Sequence, residues 1–157
     1  MVRKRIVFVC SGNTCRSPMA EYLLKSALRK AGLWKNFEVS SAGIAASDGS
    51  PASAFAVAAM ENINGDIARH VSRTITQKIL NSADVIFCMA AEHREFLLAN
   101  FESIREKCFL VKKFLDKKNG DIEDPFFGGA KDYERVRDDI NSAMDSILKF
   151  LANGNET

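Results

Sequence analysis

The chain has 157 residues, 46% of them hydrophobic, and 22 Lys plus Arg against 20 Asp plus Glu leave a net charge of +2. That balance excludes the basic footprint of a nucleic-acid binder, and no apolar stretch approaches the roughly 18 residues of a membrane span. No secretory leader pattern is expected at the start, so the expected location is the cytoplasm, with neither membrane nor nucleic acid as a partner.

The length suits one domain, expected over residues 1–152 with a frayed tail at 153–157. Arg5–Val9 is β-branched, aromatic and unbroken, as a strand covered on both faces would be. Ser17-Pro18 reads as helix cap and first-turn proline, and Ala20, Leu23, Leu24, Ala27, Leu28 and Ala31 follow at helical spacing towards Gly32. Phe37–Ala42 reads as a second strand closed by Gly43, and Pro51–Glu61 as an alanine-rich helix. Thr76 caps a short helix through Leu80, Ala83–Met89 is a third strand, Ala91–Phe101 a helix and Lys107–Val111 a fourth strand. Lys117–Asp121 is loop. One last helix runs from about Lys131 to Leu151, with Tyr133, Val136, Ile140, Met144, Ile147 and Leu151 on a single stripe. Alternating β and α units predict an α/β fold, a parallel sheet with helices on both faces. Ligands then bind beyond the carboxyl ends of the strands, where residues 10–17 lie.

Those residues, Cys10-Ser-Gly-Asn-Thr-Cys-Arg-Ser17, carry the chemistry. A thiol at a helix N-terminus beside a guanidinium sits where thiolates are favoured. The same helix end offers free N–H groups and partial positive charge to an oxyanion such as phosphate. The backbone of Ser11, Gly12, Asn13, Thr14 and Cys15 can ring a tetrahedral anion, and Arg16 adds a planar fork that matches two of its oxygens. Ser17 is close enough to donate to the departing sulfur. Gly12 lets the backbone approach, and Asn13 tolerates the left-handed conformation that turns N–H groups inward. A nucleotide-binding P-loop fits less well, because no Gly-Lys-Ser/Thr follows.

Four cysteines (Cys10, Cys15, Cys88 and Cys108) form no disulfide framework, and Cys88 and Cys108 sit in apolar runs as inert buried thiols. His70 and His93 show no metal-ligand spacing with Cys10 and Cys15, so no metal is expected. A leaving group needs a proton, for which Asp124-Pro125-Phe126-Phe127 is the best source. The proline stiffens that loop and the aromatics can wall a pocket. Asp116, Asp121 and Glu123 compete nearby.

Val9–Glu21 resembles the signature loop of the low-molecular-weight protein tyrosine phosphatases, and Asp124-Pro125 resembles their acid loop. Ser40–Gly43, the His70 segment and Phe87–Met89 also fit, so the resemblance runs along essentially the whole chain. It implies a flavodoxin-like three-layer sandwich on a four-stranded parallel sheet. It implies Cys10 as the nucleophile that forms a phosphocysteine, Arg16 as phosphate clamp, and Asp124 as acid and then base. Ser11, Gly12, Asn13, Thr14, Cys15, Ser17 and Phe126 would bind substrate, while Ser41 and His70 join Asn13 and Ser17 in a network holding the loop. The implied partners are phosphorylated proteins and inorganic phosphate or a similar oxyanion; no cofactor and no metal are implied. Cys15 matches a second loop cysteine that can trap oxidised Cys10 as a disulfide.

Three departures bear on substrate. Threonine stands at position 14, where many tyrosine-specific members carry an apolar residue and a bacterial branch acting on phosphoarginine carries threonine. Ile44–Asp48 lacks the tryptophan that many members place after Ser-Ala-Gly, and Ala90 follows Met89 where an aspartate is usual. Arsenate reductases share the scaffold, but they relay oxidation through two further cysteines close in sequence, whereas Cys88 and Cys108 are twenty positions apart. A non-catalytic phosphate-binding module is the remaining alternative, opposed by the joint presence of Cys10, Arg16 and Asp124.

Overall fold

Ile6, Val7, Phe8 and Val9 are all buried, because the strand they form, β1 (Lys4–Cys10), is covered on both faces. The computed structural model describes residues 2–115 and 120–154. After β1 come α1 (Arg16–Lys30), β2 (Phe37–Gly43), α2 (Ala54–Glu61), α3 (Gln77–Ser82), β3 (Val85–Cys88), α4 (Ala91–Asn100), β4 (Cys108–Leu110), α5 (Ala130–Ser142) and α6 (Met144–Ala152).

The strands are all parallel in the order β2-β1-β3-β4. From β1 the chain goes first to one side, to β2, and later to the other, to β3. The carboxyl end of β1 is therefore the point where the winding reverses, and such a point opens a crevice for a ligand. Cys10 ends β1 there, and the loop to α1 lines the opening.

Strand periodicity divides the core in two. Ile6, Phe8, Val85 and Phe87 face α1, α2, α5 and α6, packing with Leu24, Met60, Ile140 and Ile147. Val7, Val9, Ile86 and Cys88 face the other way, against Leu80 of α3, Leu97 of α4 and Ile104. Aromatic contacts fill the first core, with Phe114 stacked on Phe150 at 4.2 Å between ring centres and Phe8 on Phe87 at 5.6 Å. Each fully buried large side chain contributes about 1.5–3 kcal/mol, so both faces of the sheet anchor β1 and the loop it launches.

Three local expectations need correction. Helix α1 starts at Arg16 with Cys15 as its flanking residue, and Ser17 is no cap; its hydroxyl is committed to Cys10 and Asn13 instead. Helix α2 begins at Ala54, because Ser53 accepts from the Ala56 amide as cap while Pro51 pairs with Val71 in a bridge. The last helix is two helices. The Ala143 amide bonds the Ile140 carbonyl and the Ser142 hydroxyl bonds that of Asp139, which tightens the turn and bends the chain. The expected stripe stays buried on both sides of the bend, from Tyr133, Val136 and Ile140 to Met144, Ile147 and Leu151. Within the expected loop, Gly120 and Asp121 lie outside helix and strand; residues 117–119, the competing acid Asp116 and residues 155–157 fall outside the described residues.

Candidate active site

The loop after Cys10 is held by its carbonyl groups. Those of Cys10 and Ser11 accept from the Ile44 and Ala45 amides, each at 3.0 Å, and that of Thr14 from Ser53 at 2.8 Å. That of Asn13 accepts from the His70 ring at 2.7 Å, and that of Cys15 from Met19 at 3.2 Å. Among the described residues, the amides from Ser11 to Cys15 donate to no protein acceptor. With the carbonyls turned outward to these partners, the N–H groups form a concave nest of the kind that binds anions. Asn13 makes the turn possible with a φ of 55°, a conformation asparagine enters at small cost. Gly43 makes the close packing possible, since a Cβ there would collide with the Ser11 carbonyl.

Asn13 is fully buried and every polar atom of its side chain is used. Its amide nitrogen donates to Ser17 Oγ at 2.8 Å and to Ser41 Oγ at 3.0 Å, and its oxygen accepts from the Arg73 amide at 3.0 Å. Ser41 passes its own proton to Glu21 at 2.9 Å, and Glu21 pairs with Lys25 at 2.7 Å. The expected set of Asn13, Ser17, Ser41 and His70 is thus brought together around the loop, joined by Glu21 and Arg73. Because buried polar groups are costly unless satisfied, this array fixes the loop before any ligand arrives.

Cys10 and Arg16 are both buried, and the Cys10 sulfur lies 2.8 Å from Ser17 Oγ. Arg16 gives one guanidinium nitrogen to the Ile122 carbonyl at 2.9 Å, while another lies 3.5 Å from the Asp124 carboxylate. Asp124 is half-exposed and braced by the Phe126 amide, which donates to it at 3.1 Å. The neighbouring acids are otherwise engaged: Asp121 accepts from the Ala91 amide at 2.8 Å, and Glu123 pairs with Arg135 at 3.1 Å. Phe126 stands largely in solvent with Phe127 against its edge at 5.0 Å. Cys15 and Thr14 are half-buried in the same loop, and burial first, then the proximity of Cys10, pushes the Cys15 thiol up, so that it stays protonated. No group of three potential metal-ligating side chains occurs among the described residues.

His93 was read from sequence only as a residue without ligand spacing, yet it lies inside this site. It is fully buried, accepts from the Ala90 amide at 3.0 Å through Nδ1, and reaches Ser11 Oγ through Nε2 at 2.9 Å. Burial, and then the charge of Arg16, push its pKa down from 6.5 to about 4. His93 is the third residue of α4, where its ring caps the helix start, and that local role gives no sign of the contact with Ser11. Tyr133, part of the core stripe, has Phe55 packed on it at 5.3 Å between ring centres, and burial pushes its phenol up.

Comparison with known proteins returns one family model, described as low molecular weight phosphotyrosine protein phosphatase, matching residues 5–156. A protein-arginine-phosphatase of Bacillus subtilis is 39% identical over 147 residues, covering 93% of this chain and 95% of the relative. An arsenate reductase of Staphylococcus epidermidis is 30% identical over 147 residues, covering 94% and 98%. A solved YwlE arginine phosphatase bearing a phosphorylated active-site serine superposes with a TM-score of 0.89 at 36% identity, covering 96% of this chain and 97% of that one.

Proposed function

The chain belongs to the low molecular weight phosphotyrosine protein phosphatase family and is a cysteine-dependent protein phosphatase; from that premise we propose that it removes phosphate from phosphoarginine in proteins, using Cys10, Arg16 and Asp124. The observation that carries the substrate is Thr14. Its hydroxyl has no hydrogen-bonding partner among the described residues and stands near the space Gly12 leaves open. A hydroxyl at that rim suits a polar guanidinium leaving group, where an apolar side chain would suit an aryl ring. The relative named as a protein-arginine-phosphatase supports the same choice.

In this reading the loop amides and Arg16 hold the phosphoryl oxygens. The Cys10 thiolate attacks phosphorus, the phosphorus–nitrogen bond breaks, and Asp124 gives its proton to the departing guanidine nitrogen. General acid help of this kind is worth about 10²–10⁴ in rate. Asp124, now a carboxylate, takes a proton from water as the water oxygen bonds to phosphorus. The sulfur–phosphorus bond breaks, its electron pair returns to sulfur as the Cys10 thiolate, phosphate leaves, and the Ser17 hydroxyl donates a hydrogen bond to that thiolate. The solved relative with a phosphorylated active-site serine supports a phosphorylated nucleophile.

Arsenate reduction is the second reading, favoured by the related reductase. Cys88 and Cys108 argue against it, because both are buried on the α3–α4 face of the sheet, while Cys10 belongs to the other core. The deciding measurement is kcat/KM on phosphoarginine and phosphotyrosine peptides for the wild type and Thr14→Ile. Wild type favouring phosphoarginine by at least about tenfold, with the preference lost in the variant, is the expected result. A wild-type preference for phosphotyrosine overturns the substrate assignment.

A further inference from the structure

His93 contributes to no step described above, yet it is fully buried beneath the residue that follows the nucleophile. Its Nδ1 accepts the Ala90 N–H, so the neutral ring carries its proton on Nε2. That proton goes to Ser11 Oγ, 2.9 Å away. The Ser11 oxygen is thereby an acceptor towards the ring, and its own proton must go elsewhere. Its carbonyl is engaged as well, by the Ala45 amide. Ser11 is thus pinned through its backbone by the β2 side of the loop and through its side chain by α4. The array at Asn13 fixes the far half of the loop, and His93 fixes the near half.

We infer that His93 is a positioning residue for the phosphatase reaction: it acts through Ser11, orienting that hydroxyl so that its proton is given to the bound phosphoryl substrate. The inference rests on the phosphatase chemistry and is independent of whether arginine or tyrosine carries the phosphate. Two roles of the ring can be separated by substitution. Glutamine at the third helical position still accepts from the Ala90 amide as a cap does, while losing the rigid aromatic donor that meets Ser11.

The experiment is a double-mutant cycle with p-nitrophenyl phosphate, with thermal melts for each variant and inhibition by inorganic phosphate as a measure of oxyanion affinity. His93→Gln is expected to keep its melting temperature near wild type and to lose about tenfold in kcat/KM. In a Ser11→Ala background the same change is expected to cost less than about twofold, because the residue through which His93 acts is already gone. Ser11→Ala should also move the Nε2 nitrogen resonance of His93 while leaving Nδ1 in place. Full activity in His93→Gln, or equal losses with and without Ser11, overturns the inference. The aryl phosphate keeps this result distinct from the arginine assignment, which the peptide comparison tests.

Discussion

Ser17 aims its proton at the Cys10 sulfur. Its oxygen accepts from the Asn13 amide at 2.8 Å, and towards a thiolate 2.8 Å away the hydroxyl can only donate. Such a donor stabilises charge that gathers on sulfur, which is greatest when phosphocysteine breaks down. Ser17→Ala is expected to lower kcat by about ten- to a hundredfold, and rapid-mixing experiments should show a full burst of the first product followed by a slowed steady state. A slowed burst with normal breakdown would assign Ser17 to the first step instead.

Replacing the nucleophile separates binding from turnover. Cys10→Ser keeps the outward-held carbonyls and the nest of amides, so inorganic phosphate and vanadate should bind within a few-fold of wild type while turnover disappears. Calorimetry and an activity assay on one preparation read both. Turnover near wild type would remove Cys10 from its proposed role.

Among the described residues, Asp124 has Arg16 as its ion-pair partner, at 3.5 Å. Its replacement should therefore be felt according to the leaving group. Asp124→Ala is expected to reduce kcat by about 10²–10⁴ for poor leaving groups and far less for nitrophenolate. A uniform loss across a leaving-group series would point to another acid.

His93 makes stability depend on acid. Its proton affinity is depressed from 6.5 to about 4 in the folded chain, so as pH falls the unfolded chain takes up the proton first. Stability is fully present above about pH 6.5, declines towards pH 4 and levels off below it, by about 2 kcal/mol between pH 7 and 4.5 for this group alone. Arg16, Glu92, Asp121 and Asp124 lie around the ring and are common to both proteins, so the measure is the difference between wild type and His93→Gln in denaturant unfolding at the two pH values. Parallel declines in the two proteins would contradict it.

Gly43 tests the packing under the loop. A methyl group there meets the Ser11 carbonyl, the Ala46 side chain and the Asn13 amide. Gly43→Ala should destabilise the protein by about 2 kcal/mol or more and weaken phosphate binding at the same time. An unfolding midpoint equal to wild type would mean that the loop yields freely.

Much of this was legible in the sequence, because it rests on local patterns. The unbroken apolar run at Ile6–Val9 announced a strand covered on both sides, and Gly12 and Asn13 announced the tight turn between it and the first helix. What escaped was decided by partners distant in the chain. Nothing local marks His93 as the neighbour of Ser11, eighty-two positions earlier, or Arg73 as the partner of Asn13. Likewise, Asp124-Pro125 is the best acid source in the sequence but has competitors nearby, and only the folded chain shows Ala91 and Arg135 engaging two of them, Asp121 and Glu123. The break at Ala143 coincides with the Ser142 and Ser146 hydroxyls bonded back onto the Asp139 and Ala143 carbonyls, which the apolar stripe on its own does not reveal.

The single bond from Arg16 to the Ile122 carbonyl joins chain segments 106 residues apart. The anion nest is built from neighbouring residues at the amino-terminal end, whereas the acid arrives on a segment that follows the last strand. Arg16 is the rivet between them, holding the segment that carries Asp124 against the loop. In the proposed reaction, a substitution at this position is expected to produce two lesions at once, a weakened grip on phosphate and an unmoored Asp124. Its kinetics will not resolve into a sum of independent parts.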